Sequence, residues 1–365
     1  MQLQNDTGIN LAEILKNKYP NSALNGENQF KSFTSIEEEY NALRYGVGIR
    51  DISSRFVLKM MGKDVSDFLH RVSTNSIQGM KSHEKINTLF TNDKGKIIDR
   101  TSLIRLFDDY YLISSSTDGN LLLSWIEKYI IMEDISLQIA AEEFFIFEIL
   151  GPRATGFLTL LGGRDVDNMN DKKIVRLESD DHHFFAFEQN DNKSLKSYWL
   201  IGHFNYAPSF IEFLLSRSNL FDQTFVGSEA YEIFRIEQGI PVMPNELNYS
   251  INPHEAGLLN DISFSKGCYI GQEVIARLDT YDKVRNVLAG VIFEDSCECS
   301  TGMKILTEED QDAGIITSFT ESKLVNRKIG LAYIKKKFVE NGQNLFVING
   351  HNRQIINTTE LPFKK

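Results

Sequence analysis

An α+β fold with a distinct carboxy-terminal β unit is what the sequence predicts, and three patterns carry the prediction. Strand-like and helix-like apolar stretches interleave through the first 280 residues without a repeating strand–helix–strand spacing, which favours α+β over a doubly wound sheet. The turn Asn92-Asp93-Lys94-Gly95, set between two alternating runs, is a strong hairpin signal. After about residue 281 the texture changes to short alternating runs parted by turn residues, as in a small barrel or sandwich.

The elements follow in chain order. Ile36 to Leu43 reads as a helix, with Ser35 as N-cap and the Gly46–Gly48 pair as its stop. A strand is expected over Phe56 to Met60. Val65, Phe68, Leu69 and Val72 then recur at helical spacing and give Lys63 to Val72 one apolar face. Asn87 to Thr91 and Ile97 to Leu106 form the arms of the hairpin, Tyr110 to Ser115 is another strand and Leu121 to Tyr129 a helix. Phe144 to Leu150 reads as a strand, and Gly151-Pro152 opens a helix from Ala154 to Leu161. His183 to Glu188 and Tyr198 to Ile201 are strands, Ser209 to Ser216 and Gly227 to Gln238 helices; His182-His183, after two aspartates, is expected in a solvated loop. The last domain offers strands at Val287 to Phe293, Met303 to Leu306, Gly314 to Phe319, Ile329 to Ile334 and Asn344 to Ile348. Residues 281–365 hold 12 basic and 11 acidic groups, so the acidity lies upstream, which supports a boundary near 280.

Bulk properties bound the function. A length of 365 residues exceeds the roughly 250–300 that one core supports, so two or three domains are expected. The 42% hydrophobic and 11% aromatic content is that of a packed globular protein. A net charge of −11 argues against general affinity for nucleic acid or anionic membranes. There is no apolar leader or membrane-length run, and three cysteines are too few for a disulfide framework. A cytoplasmic, reduced protein is therefore expected, a monomer by default. Cys297-Glu298-Cys299 reads as a polar loop, not a metal site, and no metal ligands are assigned.

The densest chemistry lies in Lys266-Gly-Cys-Tyr-Ile-Gly-Gln-Glu273, followed by Ala276-Arg277. Gly267 and Gly271 permit tight or positive-φ backbone. A helix is expected from Gln272, with Glu273 in its first turn and Ile270 against Val274 as a staple. Cys268 would then precede the positive end of a helix dipole with Lys266 beside it, and both influences favour thiolate. An inert thiol in a tight turn is the plainer alternative. Upstream, Arg235 and Glu237 lie two apart on a helix and so on different faces. One could face a ligand cleft while the other anchors a loop.

These two motifs, in this order and separated by Pro253-His254-Glu255, resemble the folate-binding YgfZ-like proteins, relatives of the glycine-cleavage aminomethyltransferase or T-protein. The string Lys-Gly-Cys-Tyr-x-Gly-Gln-Glu-x-x-x-Arg is complete from Lys266 to Arg277. Tyr40 to Arg44, Gly48 to Ser53, Leu89 to Asp99, Leu150-Gly-Pro152 and Gly330 to Ile334 look like further T-protein segments. The resemblance implies a three-domain ring around a central folate channel, closed by a carboxy-terminal β-barrel. The first domain would comprise 1–55 and 140–280, the second 56–139 and the third 281–365. It further implies an accessory role in iron–sulfur cluster assembly or repair, with cluster-assembly proteins or cluster-containing client enzymes as partners and tetrahydrofolate as cofactor. Cys268 and Lys266 would be the reactive centre. Asn92, Asp99, Arg235, Glu237, Gly267, Tyr269, Gln272, Glu273 and Arg277 would shape the surrounding site.

Two departures bear on the enzymatic alternative, a tetrahydrofolate-dependent aminomethyltransferase or demethylase. Where T-proteins have a second aspartate in the hairpin, this chain has Arg100, and a cation there cannot take a proton. The Gly-Tyr-Thr-Gly-Glu string that helps hold the pterin has no counterpart between Asp180 and Gly202.

Overall fold

The computed structural model describes residues 10–25, 29–140, 143–192, 195–216, 220–281, 284–294, 299–340, 344–349 and 352–364. It contains two open sheets, a closed barrel and a small two-stranded ribbon. The fold is mixed α+β, and the carboxy-terminal unit is a barrel.

The first sheet has six strands in the spatial order Val175–Ser179, His182–Asn192, Leu195–His203, Phe144–Leu150, Val47–Asp51 and Gln223–Phe225. All its pairings are antiparallel except that of Gln223–Phe225 with Val47–Asp51. The near-continuous apolar run Phe-Phe-Ile-Phe-Glu-Ile-Leu at 144–150 suits a central strand covered on both faces. One face packs on the helices Ala154–Gly162 and Ala207–Ser216 through Phe145, Phe147, Phe157 and Phe210. The other carries Ile146, Phe187, Trp199 and Ile201 against Val57, Ile104 and Ile113 of the second sheet.

That second sheet runs Glu84–Thr91, Ile97–Leu106, Asp109–Ser114, Val57–Met61 and Ser136–Ile139, all antiparallel. Its core includes Phe68, Leu69 and Val72 from the helix Val65–Val72, as the spacing required. The predicted hairpin forms with Gly95 at φ +67°, the left-handed conformation its turn needs.

The barrel closes in the order Asn286–Phe293, Arg327–Lys335, Asp312–Ser322, Lys304–Thr307, Leu345–Asn349 and Asn352–Thr359, the last pairing with the first. Alternate residues such as Val291, Phe293, Ile305, Ile334 and Val347 fill its interior.

Local expectations differ from the structure at several points. Gly46 caps the helix Ile36–Tyr45, but Gly48 lies in a strand, where a Cβ would stand 2.5 Å from the Leu43 side chain. His182 and His183 begin a strand; the turn is Asp180-Asp181, both at positive φ, and His182 packs edgewise on Phe210. Cys297 lies outside the described residues, whereas Cys299 is half-buried against the barrel core. No helix among the described residues is long and apolar enough to cross a membrane.

Candidate functional site

The stretch from Asp261 to Gly271 crosses the second sheet as a strap fixed at four points. Arg100 Nε donates to Asp261 Oδ2 at 2.7 Å, and the Ser263 amide donates to the Thr74 carbonyl at 3.0 Å. Lys266 Nζ then donates to three main-chain carbonyls, those of His70, Ser73 (2.6 Å) and Asn75 (2.9 Å). These cluster at the carboxy end of the helix Val65–Val72, where carbonyls lack helical partners and a cation is favoured. Burial pushes Lys266 down to about 8, so it keeps its proton at neutral pH. An ammonium has three N–H bonds and all three are engaged here, so the lysine anchors the strap instead of donating to the neighbouring thiol.

The fourth point is the hairpin tip. Thr91 Oγ1 donates to the Ile270 carbonyl at 2.7 Å. Gly271 adopts φ +84°, and a Cβ there would stand 2.6 Å from the Asn92 carbonyl oxygen. Between these anchors Tyr269 turns inward, its hydroxyl pushed up to about 12 by burial, while Gly267 and Cys268 face solvent. The helix Gln272–Tyr281 follows, with Gln272 half-buried and Glu273 and Arg277 exposed. Ile270, the residue expected to staple to Val274, packs against the core of the second sheet. Asn92 does not reach outward: its Oδ1 accepts the amides of Lys94 and Lys96, both at 3.0 Å, and so holds the turn.

Behind the hairpin lies a second cluster. Strand alternation sends Asp99 and Arg100 to opposite faces. Arg100 meets Asp261, whereas Asp99 is buried and accepts from Ser114 Oγ and from the Ser115 amide at 3.2 Å. Burial raises the Asp99 carboxyl to about 6, against the stabilising pull of these donors and of Arg55. The replacement of the hairpin acid by Arg100 is thus a feature of one face only; the other retains a carboxyl that titrates near neutrality. Arg55 also lies over the Trp199 ring, 4.8 Å from its centroid. The hydroxyl of Tyr249, a half-exposed side chain, is raised by burial and by the charge of Asp99. Asp99 therefore lies within electrostatic reach of Arg55 and of Tyr249, with the buried Trp199 ring beneath Arg55. Sequence reasoning named only Asp99, since no local spacing links the other three.

Arg235 and Glu237 occupy neither place. The helix Ser228–Gln238 is pressed against the barrel, and both side chains are fully buried. Arg235 binds Glu232, Glu246 (3.2 Å) and Ser318 Oγ (2.7 Å). Glu237 accepts from Tyr40 Oη, from Ser322 Oγ (both 2.7 Å) and from the Leu324 amide (3.2 Å). Their hydrogen-bonding groups join the first sheet's helices to the barrel instead of lining an open cleft. Sequence reasoning also missed Glu255, which ties the hairpin's Lys96 at 3.2 Å to the barrel's Asn286 at 2.9 Å.

Two clefts open near the signature helix. One, of about 790 Å³, is lined by Lys94, Lys96, Asn252, Glu255, Val274, Arg277, Leu278, Val284 and Arg285. The other, of about 660 Å³, is lined by Val284, Arg285, Asn286, Asp312, Lys335, Lys336, Lys337 and Glu340. Among the described residues, no group of three or more histidine, cysteine, aspartate or glutamate side chains is arranged to hold a metal ion.

Comparison with known proteins agrees with this architecture. Residues 15–188 match the GCVT N-terminal domain, and residues 287–365 match the glycine cleavage T-protein C-terminal barrel domain. The curated Arabidopsis thaliana protein "Putative transferase At1g60990, chloroplastic" is 27% identical over 325 residues, 87% of this chain and 72% of that protein. The crystal structure of the glycine cleavage system aminomethyltransferase T from Bartonella henselae superposes with a TM-score of 0.76 at 16% identity, covering 90% of this chain and 89% of that one. With both characteristic domains matched in order and the whole fold shared, the chain belongs to the GcvT-like family of the glycine-cleavage T-protein.

Proposed function

We propose that this protein binds a reduced folate and serves as an accessory factor in iron–sulfur cluster assembly or repair, with Cys268 as its working side chain. The observation that carries the reading is the presentation of Cys268: an exposed thiol at the crest of a strap held by Arg100, Thr74, the Val65–Val72 helix end and Thr91. A cysteine kept only for packing is ordinarily buried. The complete signature string supports the same branch of the family.

The cluster of Asp99, Arg55, Trp199 and Tyr249 fits a reduced folate. The half-exposed Tyr249 supplies aromatic surface for a pterin, Arg55, backed by the buried Trp199 ring, a cation, and Asp99 a carboxyl able to accept or donate a proton. Folate would supply a one-carbon carrier there. Cluster-containing client enzymes are the partners this reading requires.

The test is anaerobic calorimetry with tetrahydrofolate on the wild type and on Cys268→Ala, joined to the activity of a cluster enzyme in cells carrying each form. The expected result is equal folate binding by both proteins, with loss of cluster-enzyme activity in the variant alone. Absence of binding by the wild type removes the folate half; full cellular activity of Cys268→Ala removes the thiol half.

Asp99 favours a second reading, folate-dependent aminomethyl or methyl transfer, because a carboxyl titrating near 6 suits general acid–base work. Turnover of an aminomethyl donor by the wild type and its loss in Asp99→Asn would establish that activity.

A further inference from the structure

We propose that the basic groove along the signature helix and the barrel mouth is a docking site for an acidic peptide segment of a partner protein, one that carries aliphatic side chains among its carboxylates. The two clefts share Val284 and Arg285 and so adjoin along one side of the molecule. The carboxylates among their described lining residues are already matched: Glu255 by Lys96 at 3.2 Å, Asp312 by Lys335 at 2.7 Å and Glu340 by Lys336 at 3.8 Å. That leaves Lys94, Arg277, Arg285 and Lys337, none of which has an ion-pair partner among the described residues.

The fold brings these four cations together from distant stretches of chain. A Cβ on Gly95 would stand 3.4 Å from Val274, so the hairpin tip carrying Lys94 lies directly on the helix carrying Arg277. The Arg285 carbonyl accepts from the Lys336 amide at 2.8 Å, and Asn286 pairs with Lys335, which holds Arg285 beside the second basic run. In a chain of net charge −11 this is a local field opposite in sign to the whole. Such a field steers and orients an anionic partner more than it adds raw affinity.

The walls of the groove select among anions. Val274, Leu278 and Val284 are aliphatic, and among the described residues no aromatic ring belongs to the lining of either cleft. Single-stranded nucleic acid is held largely by stacking on aromatic side chains, and a long polyphosphate would also meet the acidic remainder of the molecule. Carboxylates spaced by leucine-like side chains match both the cations and the walls. Cys268 lines neither cleft, so the inference stands apart from the role of the thiol.

The test uses the full-length protein and fluorescence anisotropy of a short labelled peptide alternating glutamate and leucine. A lysine–leucine peptide and a single-stranded oligonucleotide of equal charge serve as comparators. The expected result is selective, salt-sensitive binding of the acidic peptide, weakened at least about tenfold in Arg277→Glu/Arg285→Glu. Both side chains are exposed, so the variant should keep the wild-type melting temperature. Unchanged affinity in the charge-reversed protein, no binding of the acidic peptide, or equally tight binding of either comparator overturns the proposal.

Discussion

Replacing Asp99 by asparagine should flatten the pH dependence of stability in the acid range, and the structure fixes the sign. Burial raises this carboxyl from 3.8 to about 6, so between those values the native state holds a proton that the unfolded chain has released. The stabilisation is complete below the unfolded value and is lost as pH rises through the folded one. A shift of about two units, at about 1.4 kcal/mol each, amounts to about 3 kcal/mol. Most of that, about 2 kcal/mol or more, falls between about pH 4 and about pH 7. Asparagine keeps an oxygen for the Ser115 amide, and its NH₂ can donate to Ser114 Oγ, so the packing should survive. Denaturant unfolding of both proteins across that range is the assay. The wild type should lose stability with rising pH relative to Asp99→Asn, and the variant should be the more stable at neutrality. Parallel profiles would show that Asp99 ionises as an ordinary surface aspartate and would remove it from acid–base chemistry.

Two further outcomes are expected. Gly271→Ala combines an unfavourable φ of +84° with a Cβ 2.6 Å from the Asn92 carbonyl, and should cost about 2–3 kcal/mol in thermal unfolding. Native-state alkylation of Cys268 in that variant should change rate as the strap shifts; an unchanged melting temperature and rate would mean that the hairpin does not position the thiol. Arg235→Met would leave the fully buried Glu246 without its cation, so a loss of about 3–5 kcal/mol is expected in denaturant melts. A loss below about 1 kcal/mol would refute the buried ion pair as a structural bond.

Much of the fold could be read in advance wherever one segment carries its own period or punctuation. The apolar face of Val65–Val72, the Asn92-Asp93-Lys94-Gly95 turn and the glycine before Gln272 all match the structure for the reasons given by spacing and backbone conformation. The barrel's closing strand, Asn352–Thr359, was not legible: among its eight residues only the Ile355-Ile356 pair is apolar, and Ile356 becomes informative only when it packs inside the barrel. Val47–Asp51 was hidden because a glycine at 48 reads as a break, yet it is required there by contact with Leu43. The site divides in the same way. Cys268 stands out in a contiguous string, whereas Arg55, Trp199 and Tyr249 become neighbours of Asp99 only through packing of separate elements. Arg235 and Glu237 were visible as residues, but their burial depends on barrel residues 83 and 85 positions downstream.

The seam formed by Arg235, Glu237 and Glu246 bears on how the molecule can move. Swinging the barrel away from the Ser228–Gln238 helix would strip Ser318 from Arg235 and Glu246, and Ser322 from Glu237, leaving ions with unmet partners in a dry interface. That side is therefore a rigid frame. Opening motions that admit a ligand belong to contacts whose rupture water can compensate, such as the exposed crest of the cysteine strap.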